Sequence, residues 1–149
     1  MRRQTLWILC LGLAAAGCSG ADNHPVTADE MQLTALSDVA ELYRLYIAQN
    51  KKPPANVADF NSMEMMSPTG LHALKSGEVI VFLKADLPDL GEETGKGPGD
   101  VVLAYEKNVP QEGGKVLMLN RTVKTMTAEE FKSASKAGST DSSASSKTR

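Results

Sequence analysis

Apolar and polar residues in the first third of the chain alternate with the period of one helix face. The apolar positions recur at steps of three or four, and they are Leu33, Leu36, Val39, Ala40, Tyr43, Tyr46 and Ile47. The segment Thr27–Glu30 has the spacing of a capping box, and Pro53-Pro54 cannot continue a helix. The pattern therefore predicts an amphipathic helix from about Ala28 to Gln49.

Helix start and stop signals follow in the middle of the chain. The residues from Asn56 to Phe60 favour one short helical turn. Ser67 is placed as a cap, Pro68 stands in the first turn, and Gly77 is placed as a terminator. Proline at the start and glycine just past the end are the usual asymmetry of a helix. A second, short helix is therefore predicted between Ser67 and Gly77.

Beyond Gly77 the apolar residues become β-branched or aromatic and occur in short runs between Gly, Pro and Asp. Such runs predict strands, and they are Val79–Leu83, Val101–Tyr105, Val116–Leu119 and Thr122–Met126. The last two meet at Asn120-Arg121 in a predicted tight hairpin, and Gly113-Gly114 marks a turn before them. Thr127 and Glu130 form a second capping box, which predicts a short final helix.

The C-terminal residues 133–149 contain no large apolar side chain. Such a segment cannot bury enough surface to offset the entropy of ordering it, so a disordered tail is predicted. The preceding residues 26–132 suffice for one domain. The fold class predicted is α+β, with a long N-terminal amphipathic helix packed on a small antiparallel sheet.

The N-terminal residues have the pattern of an export signal. Arg2-Arg3 precede an apolar run from Leu6 to Ala16, which is shorter than the roughly 20 residues of a membrane span. The run ends in Leu13-Ala14-Ala15-Ala16-Gly17-Cys18, which resembles the lipobox of bacterial lipoproteins, with Ala15 where Leu is usual. The resemblance implies that residues 1–17 are a signal peptide and that Cys18 carries diacylglyceryl and palmitate-like acyl chains.

Charge and cysteine content narrow the function further. Without Arg2-Arg3 the chain has 14 basic against 18 acidic side chains, a formal charge of −4 with histidine neutral. That balance disfavours a nucleic-acid partner, which requires a clustered positive surface. Cys10 would leave with the signal and Cys18 would carry lipid, so no free thiol, disulfide or thiolate metal site is expected. A connector over residues 18–25 leads to the domain, and the eight residues Ser19–Val26 reach at most about 27 Å.

The order of elements resembles the head domain of type II secretion pseudopilins and of prepilin-like proteins with an H-x9-D-G ending. The likeness is carried by "KKPPANVADF" and by "VVLAYEKNVPQEGGKVLMLNRTVKTMTAEEF", and it covers about residues 31–132. In the second segment a strand carrying Glu106 precedes a glycine-rich turn and a hairpin. Asn120-Arg121 stands where that family has Asp-Gly, and the prepilin peptidase signature is missing. The resemblance implies a pilin-like head and argues against membership of a filament.

Three groups of residues are candidates for chemistry. His24 and His72 have no partner at triad or ligand spacing, which favours a structural or solvated role. The loop from Asp86 to Asp100 could offer oxygens to Ca²⁺, an ion found in some pseudopilin heads, but Lys96 opposes it and a solvated, mobile acidic loop is predicted instead. Met63, Met65 and Met66 suit either a binding surface or gap filling under a loop.

These observations predict a non-enzymatic protein with an interaction or structural role, without metal or cofactor. Its partners would be a membrane, through the lipid anchor, and a protein of the cell envelope. Whether that membrane is the inner or the outer one stays open. The alternative is a hydrolase of cell-envelope material whose site is assembled only by the fold. A pocket that gathers titratable side chains would favour the hydrolase, and an exposed apolar patch would favour the interaction protein.

Overall fold

A computed structural model describes residues 28–138, except for the side chains of residues 28, 29 and 32. The helices are α1 (Ala28–Asn50), a 3₁₀ helix (Val57–Met63), α2 (Pro68–Ser76), α3 (Val109–Glu112) and α4 (Ala128–Ser133). The strands are β1 (Val79–Val81), β2 (Val101–Glu106), β3 (Gly114–Met118), β4 (Val123–Met126) and β5 (Ser135–Lys136). The predicted signal peptide, Cys18, the connector and Thr27 lie outside the described residues.

The strands form one sheet in the order β1-β2-β3-β4. All neighbours along this path are antiparallel, whereas β5 pairs with β2 in parallel. Because β3 occupies one edge of β2, β1 and β5 share the other edge, β1 beside residues 104–106 and β5 beside residues 101–102. Helices and a small antiparallel sheet make the fold α+β, as the sequence predicts.

Each face of the sheet carries its own apolar core. On one face, residues of β2 and β3 join a large cluster built on α1, α2 and the 3₁₀ helix, with Tyr43, Phe60 and Leu71 almost inaccessible. On the other face, Val102, Val116 and Met118 pack with α3 and α4 around Phe131. A bulge in β2 between Val102 and Ala104 turns both Leu103 and Ala104 towards the α1 side. The sheet is therefore the middle of three layers.

Helix α1 follows the predicted bounds to within one residue at its C-terminal end. The predicted stripe is buried from Leu36 to Ile47, and Leu42 belongs to it as well. Leu33 does not, since it is 44% exposed in the part of the helix that precedes the packed region. Its place in the predicted core is therefore wrong. Lys51 takes a positive φ of 57° after the helix, two residues before the prolines.

The predicted caps have mixed outcomes. Thr127 accepts from the amide of Glu130 and the Glu130 carboxylate accepts from the amide of Thr127, so this capping box is confirmed. A further box forms at the 3₁₀ helix between Asn56 and Asp59, where backbone N–H groups lower the pKa of the Asp59 carboxyl. Ser67 is the N-cap residue of α2, as predicted, but its hydroxyl makes no capping bond.

The domain extends beyond the predicted boundary at residue 132. Ser133 ends α4, and Ser135–Lys136 is strand β5. The amide of Ala137 donates to the carbonyl of Val102 at 2.8 Å, and Ala137 is 96% buried, being 4% exposed. The prediction of disorder from Ser133 is wrong over residues 133–138, because backbone pairing to an open sheet edge requires no large side chain. Residues 139–149 lie outside the described part.

Candidate functional site

A groove of about 930 Å³ lies between the first turns of α1, helix α2 and the loop around α3. We call it the α1–α2 groove. Its lining side chains are Met31, Thr34, Ala35, Thr69, His72, Ala73, Glu78, Val79, Glu106, Lys107, Asn108 and Glu112, with Gly113 at one end. A volume of this size is typical of ligand-binding pockets.

Five elements, α1, α2, β1, β2 and α3, bring these groups together. Helix α2 lies so close to α1 that a Cβ atom on Gly70 would stand 2.7 Å from the Cβ of Asp38, and this close crossing directs His72 towards the groove. The amide of Lys107 donates to the carbonyl of Glu78 at 2.9 Å, which holds the start of β1 beside the end of β2. The apolar floor consists of Ala35, Ala73 and Val79, all buried.

Glu106 is the most constrained polar side chain of the α1–α2 groove. Its Oε2 accepts from the backbone N–H of Lys115 at 2.9 Å and lies near Gly114, where a Cβ would stand 2.8 Å from that oxygen. Its Oε1 is buried and has no hydrogen-bond partner among the described residues. A buried carboxylate oxygen without a donor carries a desolvation cost.

His72 lines this groove. It is exposed on α2, and within residues 28–138 no carboxylate comes within 4.0 Å of its ring to form an ion pair. A general base is normally oriented by such a partner. The sequence prediction of a solvated histidine holds for His72, while His24 lies outside the described residues.

The acidic loop from Asp86 to Asp100 is solvated but not free. Its acidic side chains are at least partly exposed, as predicted. Its backbone, however, is anchored by Arg121, whose Nη2 donates to the carbonyls of Gly91 and Glu93 at 2.5 Å each. Lys124 donates to the carbonyl of Gly99 at 2.6 Å, and Gly95 donates to the carbonyl of Asn120 at 2.8 Å. These anchors were not predicted, because the sequence indicated a mobile loop.

The loop's carbonyls therefore face protein cations. Arg121 is 94% buried, being 6% exposed, and also lies 3.6 Å from the Oδ2 of Asp89. Among residues 28–138 no group of three or more His, Cys, Asp or Glu side chains is arranged to hold a metal ion. The side chain of Arg121 supplies positive charge at the centre of the loop.

The three methionines differ in their exposure to solvent. Met63 is buried in the α1 core, whereas Met65 is 98% exposed and Met66 is 57% exposed. Gap filling therefore describes Met63 alone. Exposed apolar side chains of this size occur on binding surfaces.

The groove itself was not predicted from the sequence. No sequence signal marks Glu78, Lys107 and Glu112 as site residues, because each is an ordinary polar residue at the end of an element. Glu106 was visible only as the carboxylate that ends an apolar strand run. The only sequence signal was this placement of acidic residues at strand and helix ends, which many surface loops share.

No helix in residues 28–138 is long and apolar enough to cross a bilayer. Comparisons with protein-family models, with curated proteins and with solved structures found no match for the chain.

Proposed function

We propose that this chain is an exported lipoprotein, anchored to a membrane by lipid on Cys18, whose head acts by binding another protein of the cell envelope. The observation that carries the proposal is the sequence Leu13-Ala14-Ala15-Ala16-Gly17-Cys18 at the end of a short basic and apolar N-terminus. One acyl chain binds a membrane only reversibly, but the two or three chains of a lipoprotein hold it firmly.

The distance between Cys18 and the folded head supports a role at the membrane surface. Helix α1 begins at Ala28, ten residues after Cys18. Ten residues span at most about 35 Å. A head confined to such a layer meets other membrane-bound proteins at a high effective concentration, so modest contacts suffice for association.

We also propose that the head is pilin-like although the protein is not a filament subunit. The buried side of α1, which contacts β2, β3 and β4, supports this interpretation. Pilus subunits assemble through an apolar N-terminal helix. Here the first described turns of α1 carry Glu30 and Thr34 among their residues, which does not suit burial in a filament core.

A hydrolase is the second candidate, and the gathering of His72, Glu78 and Glu106 in one groove favours it. Against it, His72 is exposed and none of the described carboxylates orients its ring. A deletion strain complemented with the His72→Ala gene should have the same phenotype as one complemented with the native gene. Asp100→Ala serves as the matched change outside the groove. Loss of the phenotype in His72→Ala alone, with normal fold and normal membrane attachment, would favour the hydrolase.

The lipid anchor is tested by Cys18→Ser, with Cys10→Ser as the matched control. We expect Cys18→Ser to abolish incorporation of labelled palmitate and to release the chain from sedimented membranes, because it lacks the thiol that accepts the lipid. Cys10→Ser should keep both properties, since Cys10 lies inside the apolar run. Undiminished palmitate labelling of Cys18→Ser would refute the anchor.

A further inference from the structure

The α1–α2 groove has a negative lining. Glu78, Glu106 and Glu112 contribute three carboxylates, and Lys107 contributes one ammonium group. With His72 neutral, the formal charge of the lining is −2. Carboxylates that share a concave wall focus a negative potential and attract cations.

The unpartnered Oε1 of Glu106 is a second observation that favours a cationic ligand. This oxygen is buried and has no hydrogen-bond donor among the described residues, and the side chain of Glu106 lines the groove, so a donor in the groove would reach it after a turn of the carboxylate. A cationic nitrogen supplies a donor and charge together, which makes the strongest type of hydrogen bond to a carboxylate.

The floor of the groove restricts which class of cation would fit. Ala35, Ala73 and Val79 form an apolar base, and Met31 lies at the rim with 58% of its side chain exposed. A lysine or arginine side chain combines an apolar stem with a charged head. Its stem would lie on this floor while its head reached Glu106 and Glu112. A small inorganic cation would leave the apolar floor uncovered.

We propose that the α1–α2 groove binds a lysine- or arginine-bearing segment of the partner protein. The volume of about 930 Å³ accommodates several residues rather than one side chain. This inference rests on the proposed function, since it names the chemistry of the partner that the head would bind. The groove includes Met31 and Thr34 of α1, so it opens near the end of the helix that follows the proposed anchor.

The test is calorimetric titration of the full-length chain, in micelles of a non-ionic detergent, with the peptide acetyl-Gly-Lys-Ala-Lys-Gly-amide. The matched probe replaces both lysines by norleucine, which keeps the stem and removes the charge. We expect the lysine peptide to bind at least about tenfold more tightly than the norleucine peptide. Equal affinities, or no binding of the lysine peptide at concentrations of roughly 10 mM, would overturn the proposal.

Variants locate the binding. Glu106→Gln keeps an oxygen for the Lys115 amide but replaces the second oxygen by a donor, so the lysine peptide should bind at least about fivefold more weakly. Glu112→Gln, at an exposed position, should weaken binding without risk to the fold. Lys107→Gln should strengthen binding because it removes a repelling charge. Glu129→Gln, on α4 outside the groove, should change nothing, and an equal loss in that variant would contradict the assignment.

The chain's own basic residues Lys147 and Arg149 are the competing occupants. A chain that ends after Gly138 should bind the lysine peptide with unchanged affinity, and clearly tighter binding would show that the groove serves an internal segment instead. The two proposals fail separately. Undiminished palmitate labelling of Cys18→Ser would refute the anchor without affecting the peptide result, whereas a failed peptide titration would leave the anchor intact.

Discussion

Arg121 connects a strained backbone position to the acidic loop. The turn between β3 and β4 is closed by bonds from Met118 to Thr122 and from Arg121 to Met118, and Arg121 is its left-handed residue, with φ of 66°. Glycine usually takes this position in three-residue hairpin loops. An arginine persists there because its guanidinium, buried against the carbonyls of Gly91 and Glu93, anchors the loop.

Arg121→Gly is therefore expected to destabilise the domain although it relieves the backbone strain. Loss of two hydrogen bonds to a charged donor should lower the free energy of unfolding by about 1–3 kcal/mol in urea titrations. The control is Lys51→Gly, at an exposed residue with φ of 57°, which should leave stability unchanged or raise it by less than about 1 kcal/mol. Similar effects of the two changes would show that the guanidinium contributes nothing.

Tyr43 connects α1 to the segment after β1. Its hydroxyl donates to the carbonyl of Ala85 and accepts from the amide of Ala85, both at 3.0 Å. Burial raises the pKa of Tyr43 from 10.0 to about 12, and the nearby charge of Asp86 adds to the rise. The folded state therefore favours the protonated phenol, and the stability this provides is present below pH 10 and lost between pH 10 and about 12.

Tyr43→Phe should lower the free energy of unfolding at pH 7 by about 1–3 kcal/mol, because it leaves the amide of Ala85 without its partner. The gap between the variant and the native chain should narrow as the pH rises from 10 towards 12, since only the native chain carries this titrating group. Urea unfolding at a series of pH values measures both effects. A gap that stays constant over that range would contradict the role given to the buried phenol.

The short strand β5 is held by backbone pairing and by the side chain of Lys136. It pairs with Val101 and Val102, and Lys136 donates to the carbonyls of Phe131 and Ala134. The Lys136 ammonium also lies 4.8 Å from the centroid of the Phe131 ring. These contacts join α4 to the edge of β2 that β1 leaves uncovered.

Ending the chain after Lys132 should therefore lower the melting temperature by several degrees, since a loss of about 1 kcal/mol shifts the midpoint of a domain this size by roughly 4–8 °C. Ending it after Gly138 removes none of the described contacts and should leave the midpoint unchanged. Thermal unfolding followed by circular dichroism compares the two. Equal midpoints for both truncated chains would show that β5 contributes no stability.

At the scale of the whole molecule, one sheet couples two apolar cores. Phe131 packs against Tyr105 with ring centroids 4.6 Å apart on the α4 side, while Tyr43 and Tyr46 surround Phe60 on the α1 side. Both cores include residues of β2 and β3. A loss on either side should therefore destabilise the whole domain.

Phe131→Ala should lower the free energy of unfolding by about 3–5 kcal/mol, as truncation of a buried aromatic residue does. We expect one transition, with the same midpoint by circular dichroism and by tyrosine fluorescence, because α1 and α4 pack on the same strands. Phe131→Leu, which keeps most of the apolar volume, should lower the free energy of unfolding much less. Two separate transitions in Phe131→Ala would show that the cores unfold independently.

Elements that depend on local signals could be predicted from the sequence. The apolar period of α1, the proline and glycine at the ends of α2, and the capping box of Thr127 act through neighbours in the chain. The four longer strands were also visible, because their β-branched and aromatic residues form short bounded runs. The α+β class follows from the order of these elements alone.

The tertiary structure decided what depends on groups that are distant in sequence. β5 carries no apolar signal, and it forms because β1 is too short to cover the edge of β2. The anchored loop depends on Arg121, 28 to 30 residues away from the carbonyls it binds. The α1–α2 groove combines side chains from α1, α2, β1, β2 and α3. Its acidic character arises only when packing brings these separate ends together, and no local pattern encodes that distance.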